Sequence, residues 1–108
     1  MRAATFSRVG RASDVIEFRD IPRPDLGPDD VLVEVHTSGI NPADVKRRGG
    51  WNGGAMAHPM IVPHSDGTGV IVEVGANVGA ARIGERVWME RTGKLAKLVG
   101  LLEPQLNI

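Results

Sequence analysis

Val31-Leu32-Val33-Glu34-Val35-His36-Thr37 runs, after Ser38-Gly39-Ile40, directly into Asn41-Pro42-Ala43-Asp44. The first part alternates. Val31, Val33 and Val35 fall on one face and Glu34 and His36 on the other, the period of a half-buried strand. The second part is a helix start. Asn41 is a good N-cap, Pro42 suits the first helical position because it has no amide hydrogen to leave unpaired, and Asp44 falls at N3 beside the positive end of the dipole. Lys46, Arg47 and Arg48 then occupy the last turn, where cations are favoured, and Gly49-Gly50 stops the helix.

Working outward, the chain reads as short strands between breakers. Ala3 to Ser7 is an apolar opening, punctuated by Gly10 and Ser13. Val15 to Asp20 alternates, with Ile16 and Phe18 expected on one face of a strand and Glu17 and Arg19 on the other. Pro22, Pro24, Gly27 and Pro28 make a turn-rich connector, and Trp51 to Pro63 reads as a loop. Gly69 to Val74 and Glu85 to Met89 are strands, separated by the turn Gly75-Ala76-Asn77-Val78-Gly79. Beyond them Leu95, Leu98, Val99 and Leu102 recur at helical spacing, which predicts an amphipathic tail limited by Gly100 and Pro104.

Composition agrees with a mainly β domain. The 108 residues include 14 Gly and 7 Pro but only 2 Phe, 2 Trp and no Tyr, so the core is aliphatic and its strands are joined by turns. The length suits one domain with its own core. Lys plus Arg balance Asp plus Glu at 13 each, which removes any electrostatic reason to seek nucleic acid or an anionic membrane. No Cys is present, so disulfides, thiolate nucleophiles and thiolate metal sites are all excluded. The opening Met1-Arg2-Ala3-Ala4-Thr5-Phe6 has no apolar signal core, and no stretch approaches the ~18 apolar residues of a membrane span, so the expected location is the cytoplasm. His36, His58 and His64 follow no metal-ligand spacing and read as one strand and two loop histidines.

Three pieces in order carry a resemblance. They are Val31 to Asp44, Pro63-His64-Ser65-Asp66-Gly67-Thr68-Gly69 continuing to Gly75, and Ile83-Gly84-Glu85-Arg86-Val87-Trp88. Together they resemble the catalytic domain of medium-chain dehydrogenases/reductases, whose fold is similar to the GroES barrel. The resemblance implies a GroES-like partly open β-barrel over residues 1–90, with one short internal helix and an atypical tail over 91–108. The zinc-dependent members carry a Cys ligand where this chain has Asn41, and Gly-His-Glu where it has His64-Ser65-Asp66. An Asn and a Ser are poor zinc donors, so no metal is expected. Asn41-Pro42-Ala43-Asp44 is instead similar to the zinc-independent NADPH:quinone oxidoreductases, including the zeta-crystallins.

What the resemblance implies for single residues stands beside a plainer reading of each. Asn41 caps a helix; the resemblance also puts it at the bottom of a cleft, near the nicotinamide ring and the substrate carbonyl. There its neutral amide stabilises oxygen as negative charge develops. It is thus the implied catalytic residue, touching substrate and cofactor. Asp44 is either a substrate-site acid or a support of the helix start, and Trp51 either stacks on a flat quinone or covers the barrel core. Ser65 and Asp66 line the cleft floor by resemblance, although an Asp there also suits a tight turn. Gly67 and Gly69 read as points of close backbone approach, not phosphate binders, since no Gly-x-Gly-x-x-Gly precedes a helix.

The implied activity is reduction of a quinone or enone by NADPH, with this chain supplying the substrate side and lacking the Rossmann domain that holds the cofactor. It is expected to be inactive alone and not to bind NADPH tightly. The rival is a GroES-like binding or oligomerisation module without activity. The tail matches neither further barrel strands nor a Rossmann segment, and a frameshift, a truncation and a natural ending all fit it. Its apolar stripe predicts a homodimer.

Overall fold

The computed structural model describes residues 1–89. Two antiparallel sheets carry them. β1 (Arg2–Thr5) pairs with β2 (Glu17–Asp20), Arg2 lying opposite Asp20 and Thr5 opposite Glu17. β3 (Val31–Gly39), β4 (Asp66–Val74) and β5 (Arg86–Met89) form the second sheet in that order. The described strands do not close into a ring, and this mainly β arrangement is the partly open form expected of a GroES-like domain.

The core lies under one face of the second sheet. Val33, Val35, Ile71 and Met89 are buried there, with Val31, Val74 and Val87 packed at its margin. Burying each such side chain stabilises the fold by roughly 1.5–3 kcal/mol. Strict alternation in β3 is broken. Leu32 and Val33 are both buried because the register with β4 shifts between them, and it shifts again between Val35 and Thr37. Such bulges re-aim side chains and add twist. Gly67 and Gly69 are points of close approach, as expected. A methyl group on Gly69 would sit 2.1 Å from the Glu34 carbonyl oxygen, and one on Gly67 would sit 2.4 Å from that of Thr37.

One local expectation fails. Residues 15–20 do not form a single strand. Ala12–Val15 is a turn of helix, α1, and β2 begins only at Glu17. The Asp14 and Val15 amides both donate to the Arg11 carbonyl and the Ile16 amide to that of Ala12, which buries Val15 and leaves Phe18 55% exposed. Among the described residues, the face of this two-stranded ribbon that carries Phe18 meets no second layer, so alternation there does not translate into burial.

Phe6 and Ile61 exchange two backbone hydrogen bonds of 2.9 Å, which ties the end of the 51–63 loop to β1. The expected turn after β4 is present, closed by the Val78 amide on the Gly75 carbonyl at 3.0 Å and followed by a 3-10 turn at Ala80–Arg82. The helical reading of the tail lies outside the described residues, as does the boundary placed at residue 90. No helix among the described residues is long and apolar enough to cross a membrane.

Candidate functional site

The internal helix, α2 (Pro42–Gly49), starts as its residues predict. The Asp44 carboxylate accepts the Asn41 backbone N–H at 2.8 Å, and the Asp44 N–H donates to the Asn41 carbonyl at 3.0 Å. This reciprocal pairing buries Asp44, whose side chain is 7% exposed and 4.0 Å from the Arg47 guanidinium. Asp44 therefore faces its own helix start, where a carboxylate offsets the positive end of the dipole. At the other end Gly50 takes the left-handed conformation, φ 79°, and the Trp51 amide closes onto the Lys46 carbonyl at 3.1 Å.

With its backbone held this way, Asn41 extends its side chain sideways. Its Nδ2 donates to the Asp66 carboxylate. Asp66 opens β4 opposite Gly39, so the end of the β3–β4 ladder places the two side chains together across 25 residues of sequence. An amide nitrogen carries two hydrogens, so one remains for an oxygen acceptor. Asn41 itself is exposed to solvent.

A second pair lies at the same end of the ladder. Ser38 Oγ and His64 Nδ1 are 2.6 Å apart. His64 has φ 75°, and among the described residues it alone takes a positive φ without being glycine. That conformation costs roughly 1–2 kcal/mol for a residue with a Cβ, and such strain gathers at functional sites. Reading the sequence as two loop histidines missed this. The available signal was that His64 stands where the resembling motif has glycine. Ser65, half-buried, lies between His64 and Asp66.

Four of the five expected site residues thus gather near the N-terminus of α2: Asn41, Asp44, Ser65 and Asp66. Trp51 belongs elsewhere. It is 72% exposed, so it does not cover the core. It lines a cavity of about 370 Å³ with Ala43, Lys46 and Arg47 of α2 and Met56 and Ile61 of the following loop. Among the described residues, no group of three or more His, Cys, Asp or Glu converges where a metal ion could be held.

Neither the start of α2 nor the Gly67-Gly69 stretch suits the diphosphate of NADPH. A dinucleotide diphosphate needs free backbone amides at a helix N-terminus behind a glycine-rich loop. Pro42 offers no amide hydrogen there, and the Asp44 carboxylate places negative charge where the phosphates would lie. Gly67-Thr68-Gly69 is inside β4, with its glycines pressed against β3 carbonyls.

Comparison with known proteins fits this arrangement. The alcohol dehydrogenase GroES-like domain matches residues 27–100. A sorbitol dehydrogenase of Bombyx mori is 32% identical over 89 residues, covering 81% of this chain and 25% of that protein. The quinone oxidoreductase of Coxiella burnetii superposes with a TM-score of 0.69 at 28% identity, over 82% of this chain and 28% of that one. A mycobacterial protein solved in complex with NADPH does so with the same TM-score at 27% identity, over 82% of this chain and 27% of that one. The chain spans about a quarter of the length of the curated relatives it matches. The strand–helix–strand order, the glycine-tight β3–β4 ladder and these matches agree, and the chain belongs to the alcohol dehydrogenase GroES-like domain family, within the medium-chain dehydrogenase/reductase superfamily.

Proposed function

We propose that this chain is the substrate-side domain of a zinc-independent, NADPH-dependent oxidoreductase acting on a quinone or an activated enone. The observation that carries the reading is the Asn41–Asp66 pair. A neutral amide, held by a carboxylate and backed by the capped helix, stands where zinc-dependent relatives supply a metal ligand. Asp66 fixes the amide's orientation, and its remaining hydrogen is directed at a substrate carbonyl oxygen. A donor preset in this way favours the form of the substrate in which that oxygen carries more negative charge. Ser38 and His64 add a hydroxyl–imidazole pair at the same ladder end, able to hold a proton. On this reading the cofactor's diphosphate is held by residues other than the described ones.

Nuclear magnetic resonance tests the reading. Menadione, a neutral quinone, should shift the Asn41 side-chain amide signals saturably, and Asn41→Ala should weaken its binding. Zinc should add no stoichiometric site. Tight binding of one zinc per chain, with sorbitol rather than menadione moving the Asn41 signals, would favour the polyol chemistry named for the Bombyx mori relative and overturn the quinone reading.

A further inference from the structure

The cavity beside Trp51 is distinct in character from the Asn41–Asp66 end. Ala43, Lys46 and Arg47 occupy one face of α2 at i, i+3 and i+4, and Trp51, Met56 and Ile61 close the other side. Its volume of about 370 Å³ lies in the range of small-molecule sites. The chemistry of its lining is mixed in a specific way: an exposed indole and apolar side chains, with two cations on the helix.

Those cations are not used by the fold in the way the third is. Arg48 donates to the Gly10 carbonyl at 2.8 Å and ties α2 to the N-terminal ribbon. Lys46 makes no hydrogen bond or ion pair recorded among the described residues, and Arg47 has only Asp44 at 4.0 Å, a carboxylate already engaged with the Asn41 amide. The Lys46 and Arg47 carbonyls, which would repel an anion, are capped by the Gly50 and Trp51 amides. The cavity therefore presents an aromatic face and net positive charge together.

We infer that this cavity binds a planar aromatic ring carrying an anionic group, the ring against Trp51 and the anion read by Lys46 and Arg47. The inference rests on the quinone reading and narrows it: the cavity reaches Ala43 in the first turn of α2, two residues from Asn41, so the ligand becomes an acidic aromatic carbonyl compound such as a quinone carboxylate. Charge complementarity selects the class. A neutral quinone meets the same indole but adds no partner for Lys46 and leaves Arg47 with the distant Asp44 alone.

Anthraquinone-2-carboxylate and its carboxamide differ in charge and hardly in shape, and neither ring has an open position for addition. Both would be titrated into the intact chain by calorimetry and by ¹H–¹⁵N spectra. The Trp51 indole signal is identified with the Trp88→Phe variant. The carboxylate should bind about five- to ten-fold tighter than the amide at low salt, the size expected for two partly exposed charge contacts. Lys46→Gln with Arg47→Gln should bring that ratio close to one, and Trp51→Ala should weaken both ligands. Equal binding of the two ligands, with Trp51 and Asn41 signals both moving, removes the inference and leaves the quinone reading standing. A preference that survives the double variant, or no shift of Trp51 with either ligand, overturns it. Tighter binding of 2′,5′-ADP at the same signals also overturns it and assigns the cations to a nucleotide phosphate.

Discussion

The two ends of the β3–β4 ladder are closed by different means. At the Val31–Val74 end the tight contacts are made by backbone, with the Asn77–Asp29 and Arg23–Glu73 side-chain pairs exposed beside them. The Gly75 amide donates to the Asp30 carbonyl and the Asn77 amide to that of Pro28, both at 2.8 Å, and a methyl group on Gly75 would lie 2.2 Å from the Gly27 oxygen. At the Gly39–Asp66 end the closure is made by side chains, Asn41 on Asp66 and Ser38 on His64, one of them on a strained backbone. Backbone closure leaves no group to exchange for a ligand and tolerates no added atom. Side-chain closure is weaker, and its partners can be traded for a ligand's atoms at small cost. The stable end and the chemically useful end of one ladder differ for that reason.

The sharpest way to break this contrast is Gly75→Ala. The added methyl would lie 2.2 Å from the Gly27 carbonyl oxygen and 2.4 Å from that of Pro28, so about 3 kcal/mol of stability should be lost. Urea unfolding measures it, and a variant within about 1 kcal/mol of the parent would show that this end yields as easily as the other. At the side-chain end, His64→Gly and His64→Ala remove the same imidazole and differ in the Cβ. The glycine variant should be the more stable by about 1 kcal/mol, the left-handed strain less glycine's greater freedom when unfolded. Equal stabilities would mean that φ 75° costs nothing in this setting.

Asp44→Ala sharpens the contrast from the helix side. It removes the acceptor of the Asn41 amide and should cost about 1 kcal/mol in the same assay. Menadione binding should fall with it only as far as Asn41 loses its fixed position. The smallest effect lies away from both ends, at the exposed Arg82–Glu85 pair, 3.0 Å apart. The hydrogen bond from Arg82 holds the Glu85 carboxyl below its usual range. A lowered folded-state value contributes stability above the unfolded value, and the contribution fades as pH falls through the folded one. Carboxyl ¹³C titration should show the Glu85 midpoint rising in Arg82→Ala, with hardly any change in unfolding and less difference at high salt.

The contrast also explains what was legible. α2 was readable from end to end because each of its signals is local: a cap at Asn41, proline at the first position, a carboxylate at Asp44, glycines at the stop. α1 was not. Arg11 at its N-cap makes no side-chain capping bond, and its four residues gain their helical turn by burying Val15. The same stretch alternates well enough to pass for a strand, and Phe18 stays exposed because no described residue layer covers that face. Trp51 was placed in the correct loop, but whether it lay over the core or beside a cavity depended on how the loop returned to Phe6 through Ile61.

By itself the sequence determined the mainly β character, the β3–α2–β4 unit, the tight glycine contacts along β4 and the family motifs, because these depend on side-chain period, on caps and on the space around a Cα within a few residues. Tertiary structure alone decided that Asn41 would be held by Asp66, that His64 would sit in a left-handed conformation against Ser38, and that Lys46 and Arg47 would share a cavity with Trp51. Each of those depends on where two strands or a helix and a loop stop relative to one another. That relation is set by the register of the whole β3–β4 ladder, bulges included, and a bulge leaves no reliable mark in the residues that form it.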